Sequence, residues 1–347
     1  MHRSFIFLAL FTIIQTIAPA QEPGRSFDPE KNRALRFMFY NVENAFDTLK
    51  NPNANDKEYL AGGVRHWDSY KYYKKIKSIY KVIVAAGGWE PPELIGLCEV
   101  ENGKVLKDIT RNTPLSKYEY NFIHKNSPDH RGIDVALLYN PKKFIPDLKK
   151  FIPVNLPENY SDTREILYVR GQTKNSDTLH IFINHWPSKW GGELETDPKR
   201  ALAAKTLRTE VDSVFNTNKN ARIIITGDFN DIPSKASLSK HLKAQMPEQT
   251  FKPGMLYNLS ALWSGSTMGT HKYQGKWSVI DQFIVSGSLL NNEEGLTTKP
   301  SGAYIFSHPP LLEKDNKHPG KKPNRTYVGY RYHGGYSDHL PIVLDLE

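Results

Sequence analysis

Four short, mostly apolar runs in this chain each end in a polar cluster, and that repeated arrangement constrains the fold more than any other feature. Phe37–Tyr40 runs into Asn41-Val42-Glu43-Asn44, and Leu94–Cys98 into Glu99-Val100-Glu101-Asn102. Leu179–Ile183 runs into Asn184-His185-Trp186-Pro187-Ser188, and Ile223–Ile225 into Thr226-Gly227-Asp228-Phe229-Asn230-Asp231. Runs this short and rich in β-branched and aromatic residues read as strands, and near-continuous apolarity marks strands covered on both faces. Leu35–Tyr40, Leu94–Cys98, Ile133–Tyr139, Ile166–Val169, Leu179–Asn184, Arg222–Thr226, Val279–Val285 and Pro341–Leu344 all read this way. Asp68 is placed to cap a helix reaching about Ala86, with Tyr73, Ile76, Tyr80 and Ile83 at three- and four-residue steps. Asp197-Pro198 reads as the cap and first turn of a second helix, with Leu202, Leu207, Val211 and Val214 on one face to about Phe215. The combination predicts a layered α/β fold, sheet within and helices outside. Asn51–Val64 and Ser307–Gly335 read as long loops. The second carries His318, Lys321, Lys322 and Arg325 into the cluster Tyr336-Ser337-Asp338-His339 and is expected to face substrate.

The chain opens on Met1-His2-Arg3, an apolar stretch from Phe5 to Ala18, and the small residues Ala18-Pro19-Ala20. That is the build of a secretory signal peptide over residues 1–20, followed by an extension over 21–34; an uncleaved anchor is the alternative. No later apolar run approaches the ~20 residues of a membrane-crossing helix, so no stable membrane insertion is expected after cleavage. A secreted or periplasmic location follows. Cys98 is the single cysteine, so an internal disulfide is excluded and the core alone must hold the fold. Its apolar setting marks it as a buried small hydrophobe rather than a nucleophile. Lys and Arg number 46 against 37 Asp and Glu, a net charge of +9, which tilts partners toward polyanions.

Carboxylates at the ends of neighbouring strands converge, because strands lie about 4.8 Å apart. Converging carboxylates repel unless something positive sits among them, and oxygen-rich clusters select Mg²⁺, Mn²⁺ or Ca²⁺. Zinc spacing is absent from the sequence: there is no HExxH and no cysteine pair. His185 and His339 complement such a cluster, since imidazole can donate to a phosphate oxygen or move a proton near neutral pH.

The strings YNVENAF, IGLCEVEN, INHWPS, ITGDFND, VIDQFIVS and YSDHLPIVLDL, in that order from about Leu35 to Leu346, resemble the motifs of the endonuclease/exonuclease/phosphatase superfamily. That superfamily includes DNase I-like nucleases, abasic-site endonucleases, sphingomyelinases and inositol phosphatases. The HWPSKWGG and RTYVGYRYHGGYSDHLP runs resemble its exported bacterial members. The resemblance implies a four-layer α/β sandwich of two packed, mainly antiparallel sheets with helices on the outer faces, and a catalytic domain over 35–347. It implies Glu99 as principal metal ligand, Asn41 beside it and Asp338 as a further ligand, with Mg²⁺ as cofactor and Mn²⁺ or Ca²⁺ as alternatives. Asp228 would orient or deprotonate the attacking water, and Asn230 would hold a phosphate oxygen. Asp281 would pair with His339, and His185 would be the second phosphate-facing histidine. Arg131, Lys189 and Arg325 are the expected substrate contacts. Glu43, Asn44 and Glu101 share the motifs with these ligands, and a direct role is less expected of them because alternation turns adjacent residues to opposite faces, although for Glu101 it stays open.

Three functions fit these residues. The first is an exported, monomeric, metal-dependent endonuclease on DNA or RNA. The second is a phosphodiesterase or phosphatase on phospholipid headgroups or small phosphorylated molecules. The third, a non-catalytic binding protein of the same fold, is disfavoured because every catalytic position is filled.

Overall fold

Strands that are apolar on both faces need two covers, and two stacked sheets flanked by helices supply them. The computed structural model describes residues 33–157, 160–291 and 295–347. The leader read over 1–20 and the extension up to residue 32 lie outside the described residues. The first sheet runs in the order β14 (Ala303–Ile305), β19 (Ile342–Leu346), β1 (Leu35–Ala45), β2 (Leu94–Val100), β4 (Asp134–Tyr139) and β3 (Asn121–His124). The second runs β5 (Phe144–Ile152), β6 (Ile166–Thr173), β7 (Thr178–His185), β8 (Arg222–Asp228), β13 (Asp281–Ser286), β10 (Leu256–Asn258) and β9 (Ala244–Gln245). Neighbours are antiparallel except β1 with β2, β7 with β8 and β9 with β10. This is the expected sandwich of mainly antiparallel sheets.

Alternation along each strand decides which layer a side chain joins. On β8, Ile224 points into the core between the sheets, while Ile223 and Ile225 pack beneath α3 (Glu193–Thr217). Phe37 of β1 meets Phe283 of β13 edge-on across that inner core, ring centroids 5.6 Å apart. The helix α1 (Ser69–Gly87) covers the other outer face, capped by the Asp68 side chain accepting from the Lys71 N–H. Its buried stripe is Tyr72, Ile76, Ile79 and Ile83, whereas Tyr73 is half exposed. The expected stripe was therefore one residue off at its first turn, since steps of 3.6 residues bring 72 rather than 73 over Ile76 and Ile79. A short α2 (Gly103–Arg111) follows β2, capped by Asn102 from the second polar cluster.

The second long helix corrects the sequence reading more substantially. It begins at Glu193, and Pro198 lies inside it. The chain turns into the helix at Gly192, whose φ of +122° suits only glycine. Asp197 is consequently a helical residue paired with Arg200, not a cap. β5 was unforeseen because it is an edge strand with Pro146 at a register shift and four consecutive exposed residues at 147–150. The Ser307–Gly335 loop is organised into two hairpins, β15 (Leu312–Lys314) with β16 (Lys321–Pro323), and β17 (Tyr327–Val328) with β18 (Arg331–Tyr332). A third hairpin pairs β11 (His271–Tyr273) with β12 (Lys276–Ser278). Among the described residues no helix is long and apolar enough to cross a membrane.

Candidate active site

The polar clusters meet because of strand register. His185 ends β7 directly opposite Asp228 at the end of β8, and Asp228 in turn lies opposite Asp281 at the start of β13. One row across three adjacent strands thus carries a histidine and two carboxylates. The row is tight: a Cβ on Gly227 would lie 2.3 Å from the Asn184 carbonyl oxygen, so the residue before Asp228 has no room for a side chain. The first sheet contributes Asn41 and Glu99 from the ends of β1 and β2, where the pairing register shifts. Glu43, Asn44, Glu99 and Asn230 all take positive φ (51°, 56°, 62° and 53°). Left-handed backbone at non-glycine residues is strained and tends to gather at functional sites. Here the bulges turn Glu99 toward the row on the other sheet.

Contacts within the cluster are dense. His339 Nδ1 lies 2.7 Å from Asp281 Oδ2, and its Nε2 lies 3.8 Å from Asp228 Oδ2. His185 Nε2 lies 3.8 Å from both Asp228 Oδ2 and Glu99 Oε1. The Asn41 amide donates to Asp228 Oδ2 at 3.0 Å and to Glu99 Oε1 at 3.3 Å, while its oxygen accepts the Glu43 N–H. Asn230 donates its backbone N–H to Asp228 Oδ1 at 2.9 Å and its side-chain amide to the Trp186 carbonyl at 3.1 Å. The Ser337 hydroxyl donates to the Asn41 carbonyl and accepts the His339 N–H, fastening the last motif to the first. Thr270 Oγ1 accepts the N–H groups of Ile280 and Asp281 at 3.1 Å each, fixing the approach of Asp281.

Electrostatics separate the roles. Burial pushes the Asp228 carboxyl up to about 7, with the His339 charge opposing and Asp281 and Glu99 adding to the rise. Burial alone would lower the His339 pKa, but the carboxylates of Asp281 and Asp228 outweigh it and hold the imidazole well above its usual value. His185 goes the other way: burial, then the charges of Arg164, Arg131 and His339, keep it well below the usual histidine range. Burial would raise Asp338, yet Arg325 and His339 pull it down to about 2. The environment therefore drives His339 toward its protonated form and His185 toward its neutral form, beside the raised Asp228 carboxyl.

The donor set fits a hard divalent cation. Asp228 and Asp281 stand side by side, Glu99 shares the Asn41 amide and the His185 ring with Asp228, and Asp338 Oδ1 lies 4.0 Å from His339 Nε2. Buried Asp281 Oδ1 has no hydrogen-bond partner among the described residues. Candidate ligand atoms of Asp228, Asp281 and His339, and separately of His271, Asp338 and His339, lie within 4.8 Å of one another. Oxygen donors in this number suit Mg²⁺, Mn²⁺ or Ca²⁺. Glu99 and Asp338 have carboxylate oxygens to offer. Asn41 presents its amide nitrogen to the carboxylates, a posture that positions Glu99 more directly than it supplies a ligand.

Of the expected substrate contacts, Arg131 is held by Asp129 and lines a cavity of about 470 Å³ together with Trp190 and Lys199. Arg325 bridges Glu43 Oε1 at 3.2 Å and Asp338 Oδ2 at 2.8 Å. Lys189 is not brought to the centre: the chain after His185 runs outward to start α3, and its Nζ pairs with Glu193 at 3.0 Å and Asp231 at 3.5 Å. Glu101 is also outside the centre, accepting the Asp47 N–H at 2.7 Å. A larger cavity of about 630 Å³ lies at the opposite end of β7 and β8, near His180.

Three residues in or beneath the centre were not foreseen. Arg164 is buried and donates to the carbonyls of His185 (3.1 Å) and Trp186 (2.6 Å) and to Asp129 (2.8 Å). His271 stacks obliquely on His339, ring centroids 4.8 Å apart. Lys75 is a buried lysine donating to Thr326 Oγ1 and the Tyr336 carbonyl, which anchors the loop that carries Asp338 and His339. None has a local signature, because each acts on a segment remote in sequence.

A sequence model described as the Endonuclease/Exonuclease/phosphatase family matches residues 36–347. No curated protein matches the chain. Among solved structures, a mannosyl-6-phosphatase from Bacteroides thetaiotaomicron is similar at a TM-score of 0.56 and 16% identity, over 90% of this chain and 99% of that one. An endonuclease/exonuclease/phosphatase family protein from the same organism matches at 0.55 and 16%, over 90% and 94%. D. rerio TDP2 complexed with a single-strand DNA product matches at 0.54 and 14%, over 90% and 98%. At these identities the likeness shows a shared fold.

Proposed function

The chain belongs to the endonuclease/exonuclease/phosphatase family, and from that premise we propose that it is an exported, Mg²⁺-dependent phosphodiesterase acting as an endonuclease on DNA or RNA. One observation carries the chemistry: the Asp281–His339 pair, 2.7 Å apart, with His339 Nε2 3.8 Å from Asp228 Oδ2. Asp281 fixes the imidazole ring and favours its protonated form, so that Nε2 can donate to a phosphoryl oxygen. Asp228, with its pKa near 7, takes the proton of the water that attacks phosphorus. Neutral His185 offers Nε2 from the other side, and Arg164 beneath it holds its main chain. A divalent ion held by Glu99 and Asp338, with Asn41 beside them, would supply the positive charge that neutralises the phosphoryl and leaving oxygens. The basic net charge of +9 suits a polyanionic substrate. Export rests on the leader-like residues 1–20.

A second reading, a phosphatase or phosphodiesterase on small phosphorylated molecules, draws on the cavity of about 470 Å³ beside Arg131, a volume typical of small-molecule sites. The fold accommodates both, since one structural relative is a mannosyl-6-phosphatase and another holds a single-strand DNA product. A panel of plasmid DNA, RNA, sphingomyelin and p-nitrophenyl phosphate esters with Mg²⁺, Mn²⁺ or Ca²⁺ separates them. Plasmid or RNA cleavage abolished by EDTA and by His185→Ala is the expected result. Activity confined to lipid or small esters would replace the nuclease reading, and no activity on any substrate would remove both.

A further inference from the structure

Beside the carboxylates of the centre lies a smaller cavity of about 170 Å³, walled by Tyr59, Arg65, Arg325 and Tyr327 and reaching Glu43 and Asn44. It adjoins the metal-ligand side of the site: the Asn44 N–H donates to Glu99 Oε2 at 2.9 Å, and Arg325 Nη2 donates to Asp338 Oδ2 at 2.8 Å. Arg65 is held in place without any ligand. Its guanidinium carbon sits 5.0, 5.1 and 5.3 Å from the ring centroids of Tyr59, Tyr327 and Tyr330. Its Nη1 donates to the Gly329 carbonyl and its Nε to Glu58, both at 3.0 Å. That leaves Nη2 of Arg65 and Nη1 of Arg325 with no hydrogen-bond partner among the described residues. The one carboxylate in the wall, Glu43, is occupied on both oxygens, by Arg325 Nε at 3.2 Å and the Thr326 N–H at 2.6 Å.

Two guanidinium groups with spare N–H donors, one clamped by three tyrosines, form a rigid receptor for a tetrahedral oxyanion. We propose that this cavity binds a second phosphate group of the substrate, next to the one being hydrolysed. The inference rests on the phosphoesterase reading of the adjoining centre. It makes the preferred substrate one that carries at least two phosphates, either a terminal monoester or a neighbouring diester.

Steady-state hydrolysis of TpT, pTpT and TpTpT by the full chain and by R65Q and R65K tests it. Wild type should prefer pTpT or TpTpT to TpT by at least about tenfold in kcat/KM, on the scale of one charge-assisted hydrogen bond. R65Q should lose that preference, and R65K should keep part of it with a melting temperature close to wild type. Preference for pTpT identifies a terminal phosphate, and preference for TpTpT alone a neighbouring diester. Equal penalties on all three substrates, or a preference that survives in R65Q, would overturn the proposal. If none of the three is cleaved, the nuclease reading fails by itself. The cavity is then judged by calorimetry of inorganic phosphate with EDTA-treated protein: binding lost in R65Q sustains it, and binding absent or equal in both proteins overturns it.

Discussion

Arg164 offers a test of how the centre is held. Its side chain is 3% exposed and its guanidinium donates to three acceptors, the carbonyls of His185 and Trp186 and the carboxylate of Asp129. Arg164→Met keeps most of the volume and removes all three donors. The buried His185 carbonyl loses this donor, the Trp186 carbonyl keeps only the Asn230 amide, and breaking a buried ion pair costs about 3–5 kcal/mol. Asp129 retains Arg131 through two hydrogen bonds of 3.1 Å, which places the expectation at the lower end of that range. Against a typical total of about 5–15 kcal/mol the variant should fold but with little margin. Arg164→Lys keeps the charge yet can satisfy fewer acceptors, so about 1.5–3 kcal/mol is expected for a lost charged hydrogen bond. Both variants let the His185 main chain shift, and a displacement near 1 Å in a catalytic group costs on the order of 10²-fold in rate. Urea unfolding followed by tryptophan fluorescence gives the stability, and kcat on the best substrate of the panel, well below the transition, gives the catalytic part. An Arg164→Lys protein with wild-type midpoint and wild-type kcat would show that Arg164 does not brace His185.

Other perturbations have defined outcomes. Asp228→Ala or His339→Ala should lower kcat by at least ~10²-fold with the fold intact by circular dichroism, the usual scale of acid–base catalysis; near-wild-type turnover in both would remove them from the reaction. Gly227→Ala places a methyl against the Asn184 carbonyl and should destabilise by roughly 1–3 kcal/mol with overpacking, read from the shift in urea midpoint. His180, far from the centre beside Tyr168, has its pKa lowered by burial from 6.5 to about 4. The unfolded chain therefore binds that proton first, so stability is full above about 6.5 and declines as pH falls toward 4. The urea midpoint should fall over that window in wild type and fall less in His180→Phe; identical slopes would refute it.

By itself, the sequence made much of the architecture legible, and it pointed to most of the residues that the structure brings together. Apolar runs such as Ile223–Ile225 ending in Gly227-Asp228 carry their meaning locally, because a strand buried on both faces and a carboxylate at its end need no distant information to be seen. The same holds for Asp68, whose capping of α1 depends on the N–H of Lys71 three residues on. Where the neighbouring residues compete, local reading slipped. Gly192 rather than Asp197-Pro198 starts α3, and Tyr72 rather than Tyr73 faces the core. Only the tertiary structure could decide what depends on register and long-range reach. The row His185, Asp228 and Asp281 exists because β7, β8 and β13 align at those residues. Arg164 and Lys75 matter through carbonyls of segments far along the chain, at His185 and Tyr336, which no spacing rule encodes. Protonation was likewise invisible in sequence: two histidines of the same type are driven in opposite directions, His339 by the carboxylates around it and His185 by burial among arginines.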